Sequence, residues 1–182
     1  FTTTELEPIE TILSPLADSY VRGGIYGADN YGTYKNIIPR YSSTLDNLRF
    51  AFLKFDLSSI SGSVSSAKLR LNVYSTAAVN DAVKFVTNDS WTENGITYNN
   101  MPAAGATLAS AAIPAEGEWM EFDVTNQVET ERNGDDLVSF RIEGLQDGWV
   151  QLCAKEHSDS TRRPQLVINY LSNDYPPAAP DS

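Results

Sequence analysis

The 182 residues carry 24 Asp and Glu against 13 Lys and Arg, a formal charge of -11, with 41% hydrophobic and 20% charged residues. That balance predicts one folded domain with short tails rather than a disordered chain, and a pI near 4.4 disfavours a nucleic-acid partner, because phosphate binding needs a net basic face. A single Cys and a single His exclude a disulfide framework, a thiolate metal site and an imidazole-cluster metalloenzyme.

In chain order, the threonine-rich start FTTTELEPIE predicts an N-terminal tail over residues 1–12. Period-two alternation then predicts strands over 17–22, 49–57, 67–74, 83–87, 119–124, 137–143, 150–155 and 165–171. Clusters such as GADNYG, SSISGS, RNGDD and LQDG punctuate them with turn-forming residues. Many short strands with scarce helical periodicity define an all-β chain, a jelly-roll β-sandwich of two antiparallel sheets filling residues 13–171. One short helix is expected in NQVETER, with Thr125 as its N-cap and Gly134 left-handed at its end. The closing SNDYPPAAPDS predicts a Pro/Ala-rich linker over residues 172–182. No apolar run is long enough to span a bilayer, so no membrane insertion is expected, and the chain is expected to be a monomer.

In ADSYVRGG, Ala17, Ser19 and Val21 alternate with Asp18, Tyr20 and Arg22. The first set is expected to be buried and the second to face outward, with Asp18 orienting Arg22. In LKFD, placing Leu53 and Phe55 in the core turns Lys54 outward with Asp56. Eight of the thirteen Lys and Arg fall in two regions, Arg22, Lys35, Arg40, Arg49 and Lys54, then Lys155, Arg162 and Arg163. If the first and last strands lie side by side, these form a local basic patch on an acidic body. Pro39 removes a ladder donor just before Arg40. Trp91 reads as a plug at the sandwich edge, His157 as an exposed loop histidine and Cys153 as a small strand residue. Neither of the last two forms a nucleophile-base pair.

Several segments, in order, resemble a known family: ADSYVRGG, ADNYG, RFAFLKFDLSSISGSVSSAKLRLNVY, WTENGITYNNMP, GEWMEFDVTNQV and AKEHSDSTRRPQLVINY. Together they resemble the DNRLRE-type domain, which overlaps carbohydrate-binding module family ninety-six. The resemblance implies a non-catalytic sandwich that holds a secreted bacterial polysaccharide lyase or hydrolase against its substrate, with members that bind alginate. Carried over residue by residue, the matching polar positions are Asp18, Tyr20, Arg22, Asn30, Tyr31, Lys54, Lys155, Glu156 and Arg163.

The resulting expectation is a module for an acidic, alginate-like algal polysaccharide, with Arg22, Arg40, Lys54, Lys155 and Arg163 on its carboxylates. Its partners would be that polysaccharide and a catalytic domain of the same polypeptide, at a secreted or cell-surface location. Alternatives are a neutral polysaccharide stacked on Tyr20, Tyr31, Tyr34 or Trp149, a structural or adhesive surface module, and a small lyase using Tyr20 with Arg22. Calcium is a candidate structural cofactor, since sandwich loops offer carboxylates and carbonyls. No Asp-x-Asp-Gly pattern in the sequence names its ligands.

Overall fold

The structure is a computed structural model and describes residues 6–77 and 80–172. Ala67, Leu69, Leu71 and Val73 alternate along β6 (Gly62–Thr76) and are fully buried, with Lys68 and Arg70 between them on the opposite face. β6 is the spine of the first sheet. β12 (Gln165–Ser172) pairs with its first half along one edge, β9 (Trp119–Asp123) pairs with residues 68–72 along the other, and β1 (Ile9–Leu13) lies outside β12. The far end of β6 pairs with β11 (Gly148–Cys153), which also carries β3 (Asn36–Ile37).

The second sheet runs β8 (Thr107–Ala112), β7 (Asn80–Val86), β10 (Leu137–Gly144), β5 (Arg49–Asp56) and β2 (Ala17–Arg22), all antiparallel. β4 (Arg40–Tyr41) pairs with both β5 and β11 and joins the two sheets at one end. Between the sheets, Leu53, Phe55, Phe140 and Ile142 meet Leu69, Leu71, Met120, Phe122 and Ile168 in the main core. This is the expected β-sandwich. Each fully buried large apolar side chain contributes roughly 1.5–3 kcal/mol by its removal from water.

All eight predicted strands are present, with ends shifted in all but β2, and four further strands were not expected. All but the last residue of Ile9–Leu13 lies inside the stretch read as a tail, yet the strand pairs with β12 in register from Ile9↔Tyr170 to Leu13↔Leu166. It is an edge strand with mostly exposed side chains, so no buried alternation marks it. β8 is alanine-rich, TLASAA, and carries little β propensity. β3 and β4 are two residues each, and Pro39, which has no N–H to donate, separates them while its carbonyl accepts from Val150 at 3.2 Å. Apart from Ser172, which ends β12, the expected linker lies outside the described residues.

The helix α1 (Thr125–Arg132) also differs from expectation. Val124 occupies its N-cap position, and the Asp123 carboxylate accepts from the Thr125 N–H at 3.0 Å. Asp136, not Gly134, takes the left-handed conformation after it, at φ 63°.

The largest difference concerns which faces are buried. β5 is covered on both sides. Its Leu53 and Phe55 face the main core, while Phe52 faces a second core built with Ala17, Val21, Val86, Trp91 and Ile96. The long β7–β8 loop, residues 87–106, supplies Trp91 and Ile96 to this second core and seals it. Trp91 acts as the expected plug, 7% exposed, with its indole N–H donating to Ser139 Oγ at 3.0 Å. Register then sets β2: Asp18, Tyr20 and Arg22 stand opposite Leu53, Ala51 and Arg49 on the inter-sheet face, and Ala17, Ser19 and Val21 face the second core. The polar set therefore points inward, contrary to the expected outward face.

Candidate functional site

Lys54 does not turn outward with Asp56. Its side chain enters the second core, 8% exposed, where its ammonium donates to the carbonyls of Asp89 at 2.8 Å and Trp91 at 2.6 Å and lies 4.7 Å from the Trp91 ring. Asn30 has a similar bracing role: its amide donates to the carbonyls of Glu93 and Ile96, both at 2.8 Å, and its Oδ1 accepts from Gly32 N. Arg163 donates to the His157 carbonyl at 2.9 Å and shapes the β11–β12 loop. His157 is buried, 7% exposed, rather than exposed in a loop. Cys153 is a strand residue, as expected, and is buried, which pushes its thiol pKa up.

Asp18 does not orient Arg22. One oxygen, Oδ2, accepts from the Lys155 backbone N–H at 2.7 Å, while Asp18 N donates to Glu93 Oε1 at 3.0 Å and so occupies a donor on the open edge of β2. Lys155 Nζ in turn reaches Glu93 at 3.1 Å and Glu156 at 3.0 Å. Burial raises the Asp18 carboxyl pKa, against the pull of the Lys155 N–H, and the neighbouring Glu156 and Glu93 charges raise it further. Burial works against the Lys155 ammonium, but its bonds to Glu156 and Glu93 prevail and hold its pKa above the ordinary value. Asp18, Glu93 and Glu156 each offer an oxygen within 4.8 Å of the others, the one such metal-competent group among the described residues.

The remaining expected residues converge elsewhere. Arg22 stands opposite Arg49, Arg49 opposite Arg40, and Arg40 opposite Trp149, across β2, β5, β4 and β11. Directly opposed residues share a face, so three guanidinium groups and an indole form one row, about 14 Å long at about 4.8 Å per strand. All four are part-exposed. Beside the row, Tyr20 and Tyr31 stack at 4.3 Å, and Tyr34 meets them edge-on at 5.9 and 5.3 Å. Tyr20 and Tyr31 are buried and form a floor, whereas Tyr34 is 51% exposed.

The row is short of acceptors. Arg22 donates to the Asp46 carbonyl at 2.6 Å and lies 3.4 Å from the Tyr26 ring centroid. Nε of Arg40 and Nε of Arg49 are sealed from solvent without a hydrogen-bond partner. Among the described residues, none of the ion pairs involves Arg22, Arg40 or Arg49. Burial lowers the Arg49 pKa, Tyr20 opposes that, and the Arg22 and Arg40 charges add to it. Tyr20 is pushed up to about 12 by burial, despite Arg49 beside it. Sequence reading counted Arg49 among the basic residues without placing it in the site; only the strand register shows it at the centre of the row. A separate open depression of about 600 Å³ beside α1, lined by Ser65, Leu108, Asp123, Thr125 and Gln127 among others, contains none of the expected site residues.

The two-sheet sandwich thus carries a basic and aromatic row across β2, β5, β4 and β11. Carbohydrate-binding module family 96 matches residues 10–170, and the chain belongs to that family. It is 24% identical over 178 residues to a gellan lyase of Bacillus sp, covering 91% of this chain but 7% of that protein. The sandwich also overlaps the crystal structure of the Clostridium thermocellum N-terminal endo-1,4-beta-D-xylanase 10B CBM22-1–GH10 modules complexed with xylohexaose. That overlap covers 93% of this chain and 30% of that one at 9% identity, with a TM-score of 0.33.

Proposed function

We propose that this carbohydrate-binding module is non-catalytic and binds an acidic, uronate-bearing polysaccharide of the alginate type along the Arg22, Arg49, Arg40 and Trp149 row. The observation that carries the reading is the set of three adjacent, part-exposed guanidinium groups that, among the described residues, have no carboxylate partner. Guanidinium forks bind carboxylates bidentately, and the Trp149 ring offers a sugar an apolar face. The net charge of -11 does not forbid this, because exposed charges are screened beyond about 8–10 Å at physiological salt. Of the expected residues, Arg22 and Arg40 belong to the proposed row, with Tyr20 and Tyr31 beneath them. Lys54, Asn30 and Arg163 support the scaffold.

A lyase reading needs Tyr20 as a base, and a buried phenol with its pKa near 12 is poorly matched to proton abstraction at neutral pH. The module would serve a longer, secreted polysaccharide-degrading enzyme, as its likeness to part of a gellan lyase suggests. A neutral-polysaccharide reading is favoured by one observation, that Trp149 and the exposed Tyr34 both lie at the row.

Affinity electrophoresis and calorimetry against alginate and gellan, with a neutral glucan and a mannan as controls, test the proposal. Binding to a uronate polymer should weaken as salt rises, and Arg49→Ala should weaken it about 10–100-fold, the loss of a charged hydrogen bond worth about 1.5–3 kcal/mol. Salt-insensitive binding to the neutral polymers selects the stacking reading, and retention by none of the polymers overturns both.

A further inference from the structure

We propose that Asp18, Glu93 and Glu156 form a calcium site that ties β2 to the β7–β8 and β11–β12 loops. Their ligand oxygens all lie within 4.8 Å of one another, about twice the calcium–oxygen distance of roughly 2.3–2.6 Å, so one ion can touch all three. Asp18 is 1% exposed. Its Oδ1 is sealed from solvent with no hydrogen-bond partner, and Glu156 Oε2 is in the same condition. Two bare carboxylate oxygens on different segments thus converge inside the protein, an arrangement whose desolvation must be offset by a counter-charge.

Lys155 supplies only part of that counter-charge. Its ammonium contacts Glu93 and Glu156, but Asp18 receives only its backbone N–H. Three carboxylates and one ammonium leave a formal charge of -2, which a divalent cation cancels. A proton shared by Asp18 and Glu156 would cancel only half of it, with Glu93 still bonded to Asp18 N and Lys155 Nζ, whereas a cation would engage all three carboxylates. The donors are all oxygen, with no imidazole or thiolate in the group, which selects a hard cation. The spread suits calcium, with its flexible shell of six to eight oxygens, over magnesium, which demands a tight octahedron. Glu93 and Glu156 are 19% and 27% exposed at their side chains, so the ion has an entry side and room for water ligands.

The inference is independent of the polysaccharide reading, and its test contains no polysaccharide. The chelator-treated full chain is titrated with calcium chloride by calorimetry at pH 7.5, its melting is followed with and without calcium, and terbium luminescence sensitised through nearby Trp91 reports occupancy separately. The expected result is saturable binding of one ion and a melting temperature raised by about 5–10 °C at a hundredfold excess over Kd. Asp18→Asn keeps an oxygen for the Lys155 N–H but removes the charge, and should abolish both the shift and the terbium signal. Glu156→Gln, on a loop, provides the same readout if the first variant folds poorly. No calcium heat and no shift in the wild-type chain overturns the proposal, as does a shift that survives in both variants. A melting temperature that rises on acidification and ignores calcium overturns it in favour of the shared proton.

Discussion

Asp81 is a carboxylate in the wrong place for its charge, and replacing it with asparagine should change how stability depends on pH. It lies on β7 two residues before Val83, on the inter-sheet face, 1% exposed, with Oδ2 sealed and unpartnered. Burial alone pushes its pKa up from 3.8 to about 7. Below pH 3.8 the carboxyl is protonated in both folded and unfolded chains, and its contribution to stability is fully present. Between pH 3.8 and about 7 the unfolded chain has released the proton while the folded chain keeps it, so stability falls as pH rises. The shift of about three pKa units, at about 1.36 kcal/mol each, sets an upper bound of about 4 kcal/mol on the loss. Asp81→Asn does not titrate. Urea denaturation of both chains, followed by tryptophan fluorescence at unit steps from pH 4 to 8, should therefore show the variant gaining about 2–4 kcal/mol relative to wild type across the range. Any fixed penalty of burying the amide cancels in that difference, as does the titration of Asp18, which is common to both chains. Parallel stability curves, differing by a constant within about 0.5 kcal/mol, would refute the reasoning and mean that the Asp81 carboxylate finds solvent or a partner.

Two further outcomes follow from the second core and from β11. Lys54→Met should destabilise the fold by about 2–4 kcal/mol in urea, because it leaves the Asp89 and Trp91 carbonyls without their donor; an unchanged midpoint would mean that water replaces the ammonium. The Cys153 thiol, fully buried and with its pKa raised by burial, should resist a thiol-labelling reagent in native buffer and react in proportion to the unfolded fraction; rapid native labelling would contradict its placement.

Alternation made β2 and β5 legible from the sequence and put Leu53 and Phe55 in the core, but did not show that the other face of β5 is buried too, or which face of β2 meets the other sheet. Both sides of β5 are buried, and a strand covered on both faces carries no contrast by which sequence could orient it. The lid on the second side is the loop carrying Trp91, whose role as a plug could be read, although its consequence for Lys54 could not. Arg22 was legible as a basic strand residue and Arg40 only as a basic residue after Pro39, whereas the row they form with Arg49 and Trp149 depends on register across four strands brought from distant parts of the chain. Glu93 had no local signal beyond its place in WTENG; its importance comes from the β2 edge it caps and the carboxylates it meets. β1 was missed because a strand on an outer edge needs no apolar pattern, only an open neighbour.

That outer strand has a mechanical consequence. β1 and β12 run antiparallel with Ile9 opposite Tyr170, so the polypeptide enters and leaves the sandwich at the same end of one strand pair. Tension applied through the two ends loads the β1–β12 ladder in unzipping geometry, one hydrogen bond after another, rather than shearing all of them together. Such end-to-end tension would peel β1 away first, while β12 remains held by β6 and the row from Arg22 to Trp149 stays assembled. The strand that reads as part of a tail in the sequence would yield as an extensible leash before the proposed ligand-binding face is disturbed.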